Sequence, residues 1–286
     1  MNILKHATAL ALSLLAIALL PREAEATHAW GSYHWEHSST PVNLDLGKNV
    51  DGPWLAHLEL ASLDWTKSSV INTTLVAGST RPRQCKTQNG NVQVCNDTYG
   101  NNGWLGIAGI AVSGGHITAG YVKVNDTYFN SQPYSSDPWR QFVMCQEVGH
   151  TFGLGHVNET FNDMNTGSCM DYTNSPLGDG SPAQDNTTPD LHDYTLLETI
   201  YDGHDGDGGS TVDGGGDSGC NPRAPWCKGV SSADVLAGLQ TNGPSHWGRL
   251  ISEHGPQEVY EIDLGRGEKI ITHVLWTIER ANDHEH

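Results

Sequence analysis

Basic residues are scarce in this chain. Only 15 Lys and Arg stand against 33 Asp and Glu in 286 residues, a formal charge of -18 with histidine neutral. No basic stripe is available to neutralise phosphates, which argues against nucleic acid or an anionic membrane as a partner. Long apolar runs are missing as well. The one near the start, Ala7–Leu20, is short for a bilayer span, and no second run of spanning length follows. At 37% apolar and 17% charged the composition is that of a globular chain with loop-rich parts. Two residue types are abundant, with 33 Gly and 15 His. The histidines raise a metal question that composition does not answer.

The first residues address the compartment. Lys5 and His6 precede the apolar run, and Pro21 and Ala24-Glu25-Ala26 follow it. A charged start, a short apolar stretch and a small-x-small site form a signal-peptide pattern, with cleavage expected after Ala26. The expected product is secreted, monomeric and free of the membrane. In that compartment six cysteines imply disulfides. Sequential pairing, Cys85–Cys95, Cys145–Cys169 and Cys220–Cys227, is the expectation, because Gln88-Asn89-Gly90-Asn91 between the first two reads as a turn. Five Asn-x-Ser/Thr sequons occur, at Asn72, Asn96, Asn125, Asn158 and Asn186.

Residues 27–202 read as one domain. Val42, Leu44 and Leu46 alternate as in a strand, then Trp54, Leu58, Ala61 and Trp65 recur at helical spacing over 53–66, and Val70–Val76 follows as a strand. Strand, helix, strand implies parallel pairing. The stretches Leu105–Val112 and Ile117–Asn125, split by Ser113-Gly114-Gly115, predict an antiparallel hairpin at a sheet edge. Asp137-Pro138 predicts a helix start with Asp137 as N-cap, running to about Phe152 and stopping near Gly153. Thr188-Pro189-Asp190 announces a last helix. Residues 203–219, almost wholly Gly, Asp and Ser, read as a linker whose Asp205 and Asp207 lack a complete calcium-loop pattern. Calcium is therefore an unsupported cofactor. Residues 220–286 read as a small β-rich appendix. The fold class expected is α+β, a mixed, mostly parallel twisted sheet with about three helices.

The chemistry concentrates in Cys145–His156, CQEVGHTFGLGH. Gln146 and His150 lie four apart and share a helix face, with Glu147 one residue round from Gln146. Gly153 permits a sharp turn that returns His156 toward the same point. Two imidazoles and a third donor on one side suit a zinc ion, with Glu147 placed to take a proton from water.

This segment resembles the metzincin metallopeptidases, whose motif is HExxHxxGxxH followed by a turn containing Met. Glu147, His150, Gly153 and His156 match, and Ser168-Cys169-Met170-Asp171-Tyr172 is similar to the Met-turn. The resemblance covers roughly residues 30–202. It implies a zinc endopeptidase with Glu147 as general base and acid, a protein or peptide substrate, and Met170 packed beneath the metal. One position departs, since Gln146 stands where the family has its first histidine. Three readings follow: Gln146 ligates through its amide oxygen, it holds a water beside His150 and His156, or the domain is an inactive extracellular binding module. By the same resemblance Tyr172 supplies an extra ligand or an oxyanion-stabilising phenol, against the plain reading of a buried tyrosine. A Cys145–Cys169 bridge would tie the metal helix to the Met-turn. Gly106, Ile107 and Ala108, on the family's edge strand, become the candidate substrate platform, with an ordinary core strand as the rival reading. His34, His37 and His192 carry no expected role beyond surface or hydrogen-bonded histidines.

Overall fold

Alternating burial of Val42, Leu44 and Leu46 builds strand β2 (Val42–Asn49), which is flanked by a parallel strand on each side. The computed structural model describes residues 28–158, 160–202, 231–239, 243–255 and 257–280. The signal-peptide segment, the linker with its calcium candidates, and Cys220 and Cys227 lie outside the described residues.

Nine strands form one sheet among the described residues. They are β1 (His34–Trp35), β2, β3 (Ile71–Ala77), β4 (Asn91–Asp97), β5 (Trp104–Ser113), β6 (His116–Asn125), β7 (Arg249–His254), β8 (Gln257–Gly265) and β9 (Glu268–Trp276). The order is β3-β2-β4-β6-β5-β9-β8-β7, with β1 added to β6. Pairing is parallel through β3, β2, β4, β6 and β1, and antiparallel from β6 through β5, β9, β8 and β7. The helices are α1 (Trp54–Trp65), α2 (Asp126–Phe129), α3 (Asp137–His150), α4 (Leu191–Ile200) and α5 (Ser232–Gly238). The α+β class with a mixed sheet and three principal helices is present as expected.

Each sheet face carries its own core. On one face Trp54, Leu58, Ala61 and Trp65 of α1 pack with Phe142, Val143 and Val148 of α3 and Leu197 of α4. Trp65 donates its indole N–H to the Cys145 carbonyl at 3.0 Å, fixing α1 against α3. On the other face α5 places Ala233 and Leu236 with Trp104, Ile107, Tyr121, Trp247 and Trp276. Among the described residues two disulfides are formed, Cys85–Cys95 and Cys145–Cys169. Three sequons are closed to glycans, because Asn125 and Asn186 are fully buried and Asn96 nearly so, its amide engaged by Asp51 and Asp126.

Two expectations are corrected here. The C-terminal part is not an appendix, because β9 pairs with β5 from Trp104↔Trp276 to Ser113↔Glu268 and extends the main sheet. For the same reason β5 is not an edge strand. Its Gly106, Ile107 and Ala108 face β6 on one side and β9 on the other, so no main-chain groups remain there for a peptide. The physical cause is the apolar alternation of β9, which puts Ile271 and Leu275 in the helix-side core and Ile270, Val274 and Trp276 in the other. A strand buried on both faces needs neighbours on both edges. A smaller difference is that Ser136 is the N-cap of α3, with Asp137 the acid of its first turn.

If β9 belongs to the main core, Ile271→Ala should destabilise the whole chain by about 2–5 kcal/mol in a single urea transition. Two separate transitions, with the larger one unmoved, would show an independent C-terminal unit.

Candidate metal centre

Helix α3 carries the motif into the interior, where Gln146, Glu147 and His150 are fully buried. The helix approaches closely because Gly149 has no side chain, and a Cβ there would lie 2.6 Å from the Met170 sulfur. At the helix end the chain reverses through Gly153, whose φ of 97° is a left-handed conformation that suits glycine. His150 Nδ1 then donates to the Leu154 carbonyl at 2.8 Å, which leaves its Nε2 with the lone pair. His156 returns to place its Nε2 3.0 Å from that nitrogen. Val157 N–H donates to the Met170 carbonyl at 2.9 Å, so the His156 loop and the methionine turn are locked together.

The third imidazole is one the sequence reading did not single out. His273 of β9 is fully buried, its ring centroid 3.7 Å from that of His150 and 4.6 Å from that of His156. One donor nitrogen from each of His150, His156 and His273 lies within 4.8 Å of the others. The signal available in sequence was a lone histidine inside the apolar run 270–278. Trp30 lies almost parallel to the His150 ring, with centroids 5.1 Å apart, and walls the cluster on another side.

Gln146 is committed elsewhere. Its amide nitrogen donates to the carbonyls of Cys169 and Asp171 at 2.9 and 3.0 Å, so its oxygen must face the other way. That oxygen accepts from Gln257 Nε2 at 3.2 Å, which turns Gln257 Oε1 toward His273 Nε2 at 2.7 Å. A carbonyl oxygen accepts, so His273 Nε2 carries the proton and Nδ1 holds the lone pair. Two buried amides thus select the histidine tautomer from a distance. His273 Nδ1 makes no hydrogen bond and lies 3.7 Å from Glu147 Oε2.

Glu147 sits with both carboxyl oxygens buried and without hydrogen bonds. Gly106 of β5 makes room for it, since a Cβ at that position would lie 2.8 Å from the Glu147 carboxyl carbon. Burial raises the Glu147 pKa well above its usual value of 4.5. Desolvation lowers His150 to about 3, and drives His156 and His273 well below 6.5, the neighbouring imidazoles adding to the effect. Neutral imidazoles with clustered ring nitrogens and an orphaned carboxyl fit a divalent metal of the zinc class. Tyr172 is buried with its ring 4.4 Å from that of His156. Tyr172, His156 and Gln257 line a cavity of about 340 Å³ together with Trp30 and residues of β7–β9.

Depressed histidines have a measurable consequence in the metal-free chain. Each is protonated in the unfolded state below pH 6.5 but stays neutral when folded, so its stabilisation falls away as pH drops from 6.5 toward the folded value. The raised Glu147, Asp193 and Asp171 oppose this over the same window, buried His28 adds to it, and the four histidines outweigh the acids. In EDTA, urea unfolding should show stability falling by about 1 kcal/mol or more per unit between pH 6.5 and 5. Stability that holds level or rises over that range would contradict the buried, neutral cluster.

No protein-family model matches this sequence, and no curated protein does. Among solved structures the chain is similar to myroilysin, at 14% identity and a TM-score of 0.37, over 62% of this chain and 98% of that one. A second structure of myroilysin gives 14% and 0.34, over 60% and 87%. High choriolytic enzyme 1, a hatching-enzyme zinc-protease of the medaka Oryzias latipes, gives 13% and 0.31, over 59% and 94%.

Proposed function

We propose that the chain is a secreted zinc-dependent endopeptidase in which Glu147 acts as general base and acid. The observation that supports it is the convergence of three imidazole rings, one nitrogen of each within 4.8 Å of the others, with one orphaned carboxyl 3.7 Å from His273 Nδ1. His150, His156 and His273 would hold the ion, and Gln146 would act through Gln257 to orient His273 in place of ligating. Zinc, when bound, supplies Lewis-acid polarisation of water and of a peptide carbonyl.

The chain's own groups supply the rest. Burial makes the Glu147 carboxyl a stronger base than an exposed one, so it takes a proton readily and returns it to a departing amine. Tyr172 lies at the cavity wall beside His156, where its phenol would stabilise negative charge on a carbonyl oxygen. Because β5 has both edges paired, the substrate is proposed to enter by the cavity and lie along β7, the last strand at that end of the sheet among the described residues. Ile251 and Ser252 of β7 line the cavity. Main-chain pairing to an open edge is an ordinary mode of peptide capture. Secretion rests on the signal-peptide pattern, and no helix among the described residues is long and apolar enough to cross a membrane.

A second reading, an inactive binding module, draws on the complete burial of Glu147 beneath β5 and β9. Glu147→Gln separates the two. Under the peptidase reading this variant keeps its zinc and loses at least about a hundredfold in kcat/KM on a generic peptide. Zinc-loaded wild-type chain that cleaves no peptide would favour the module. Undiminished turnover in the variant would remove Glu147 from the chemistry.

A further inference from the structure

We propose a second transition-metal site, separate from the α3 centre, formed by His28, His192 and Asp193. One donor atom from each lies within 4.8 Å of the other two. His28 is buried on the segment leading into β1, whereas His192 and Asp193 open α4.

The hydrogen bonds around the three groups bring their donor atoms together. His28 Nδ1 meets the Gly155 carbonyl at 3.1 Å and must donate there, so its Nε2 presents a lone pair. In the metal-free chain that lone pair accepts from His192 Nδ1–H at 3.0 Å, and an ion bound between the two rings would take the place of that proton, with His192 protonated on Nε2 instead. Asp193 Oδ2 is fully engaged, accepting from Ser168 Oγ at 2.6 Å and from the Asp190 N–H at 2.8 Å as part of the α4 capping box. Asp193 Oδ1 makes no hydrogen bond although the residue is completely buried. It points toward His28 Nε2 at 3.8 Å, beyond hydrogen-bond reach.

A buried carboxylate oxygen with no donor is costly unless a cation or a proton answers it; burial raises Asp193 to about 7, so a bound ion would displace a proton that is otherwise held there near neutral pH. Two imidazoles and one carboxylate are the donor set of zinc and its neighbours, not of calcium or magnesium, which favour all-oxygen sites. The Gly155 carbonyl that orients His28 belongs to the residue before His156. A His192 ring that is only partly buried gives the ion a path in from solvent. The bound ion would clamp the N-terminal segment and the start of α4 onto the loop that carries His156. Burial already holds the His28 pKa near 4, so the ring is neutral and competent to ligate at pH 7.

The test is zinc stoichiometry on the purified full chain, stripped with EDTA and titrated with zinc chloride. His192→Ala should bind one equivalent fewer than wild type and lose part of the zinc-dependent rise in Tm. Because the readout is a difference of one equivalent, it holds whether or not the α3 centre binds zinc. His28→Gln should lose the same equivalent, and its circular dichroism shows whether the fold survives. Equal stoichiometry in wild type and His192→Ala, with both folded, would overturn the site.

Discussion

The register between β5 and β9 is the constraint on which the site depends. Ala108 stands opposite His273, and the pleat puts His273 on the same face as Ile271 and Leu275, toward α3. A slip of one residue would turn His273 into the opposite core and Val274 toward the helix. Apolar residues flanking His273 on both faces hold that register, so sheet packing and site assembly are one event. The same pairing closes the edge that an extended peptide would otherwise use, which moves the proposed entry to the cavity beside β7.

Burial sets the electrostatics. In a region that excludes water, imidazoles stay neutral and keep a lone pair for a cation, while the buried carboxyl holds its proton until a cation or a base takes its place. The chain spends polar groups to fix orientation there. Gln146 and Gln257 hand a hydrogen-bond direction from the methionine turn to His273, and Leu154 does the same for His150. The Cys145–Cys169 bridge ties the helix to that turn, so the floor and the metal helix move together.

Much of the parallel half was legible in sequence because its signals are local. Trp54, Leu58, Ala61 and Trp65 announce α1, and Gly153 and His156 follow α3 at fixed spacing. The hairpin of β5 and β6 was legible too, from Ser113-Gly114-Gly115. What escaped was long-range. Nothing near His273 states that its strand pairs with β5, since partner choice depends on tertiary contacts and not on local pattern. Gln146 misled for a related reason, because its spacing matches a ligand position while its amide is satisfied by carbonyls of a distant turn. His192 looked unremarkable until α4 set it beside His28.

The central claim is that the α3 centre draws its third imidazole from β9. Zinc affinity measured in a His192→Ala background, which isolates that centre, tests it most directly. The account predicts that His273→Ala weakens binding far more than Gln146→Ala, whose loss stays within the roughly 10- to 100-fold typical of a residue that orients a ligand. Unchanged affinity in His273→Ala, with Gln146→Ala severely impaired, would contradict it.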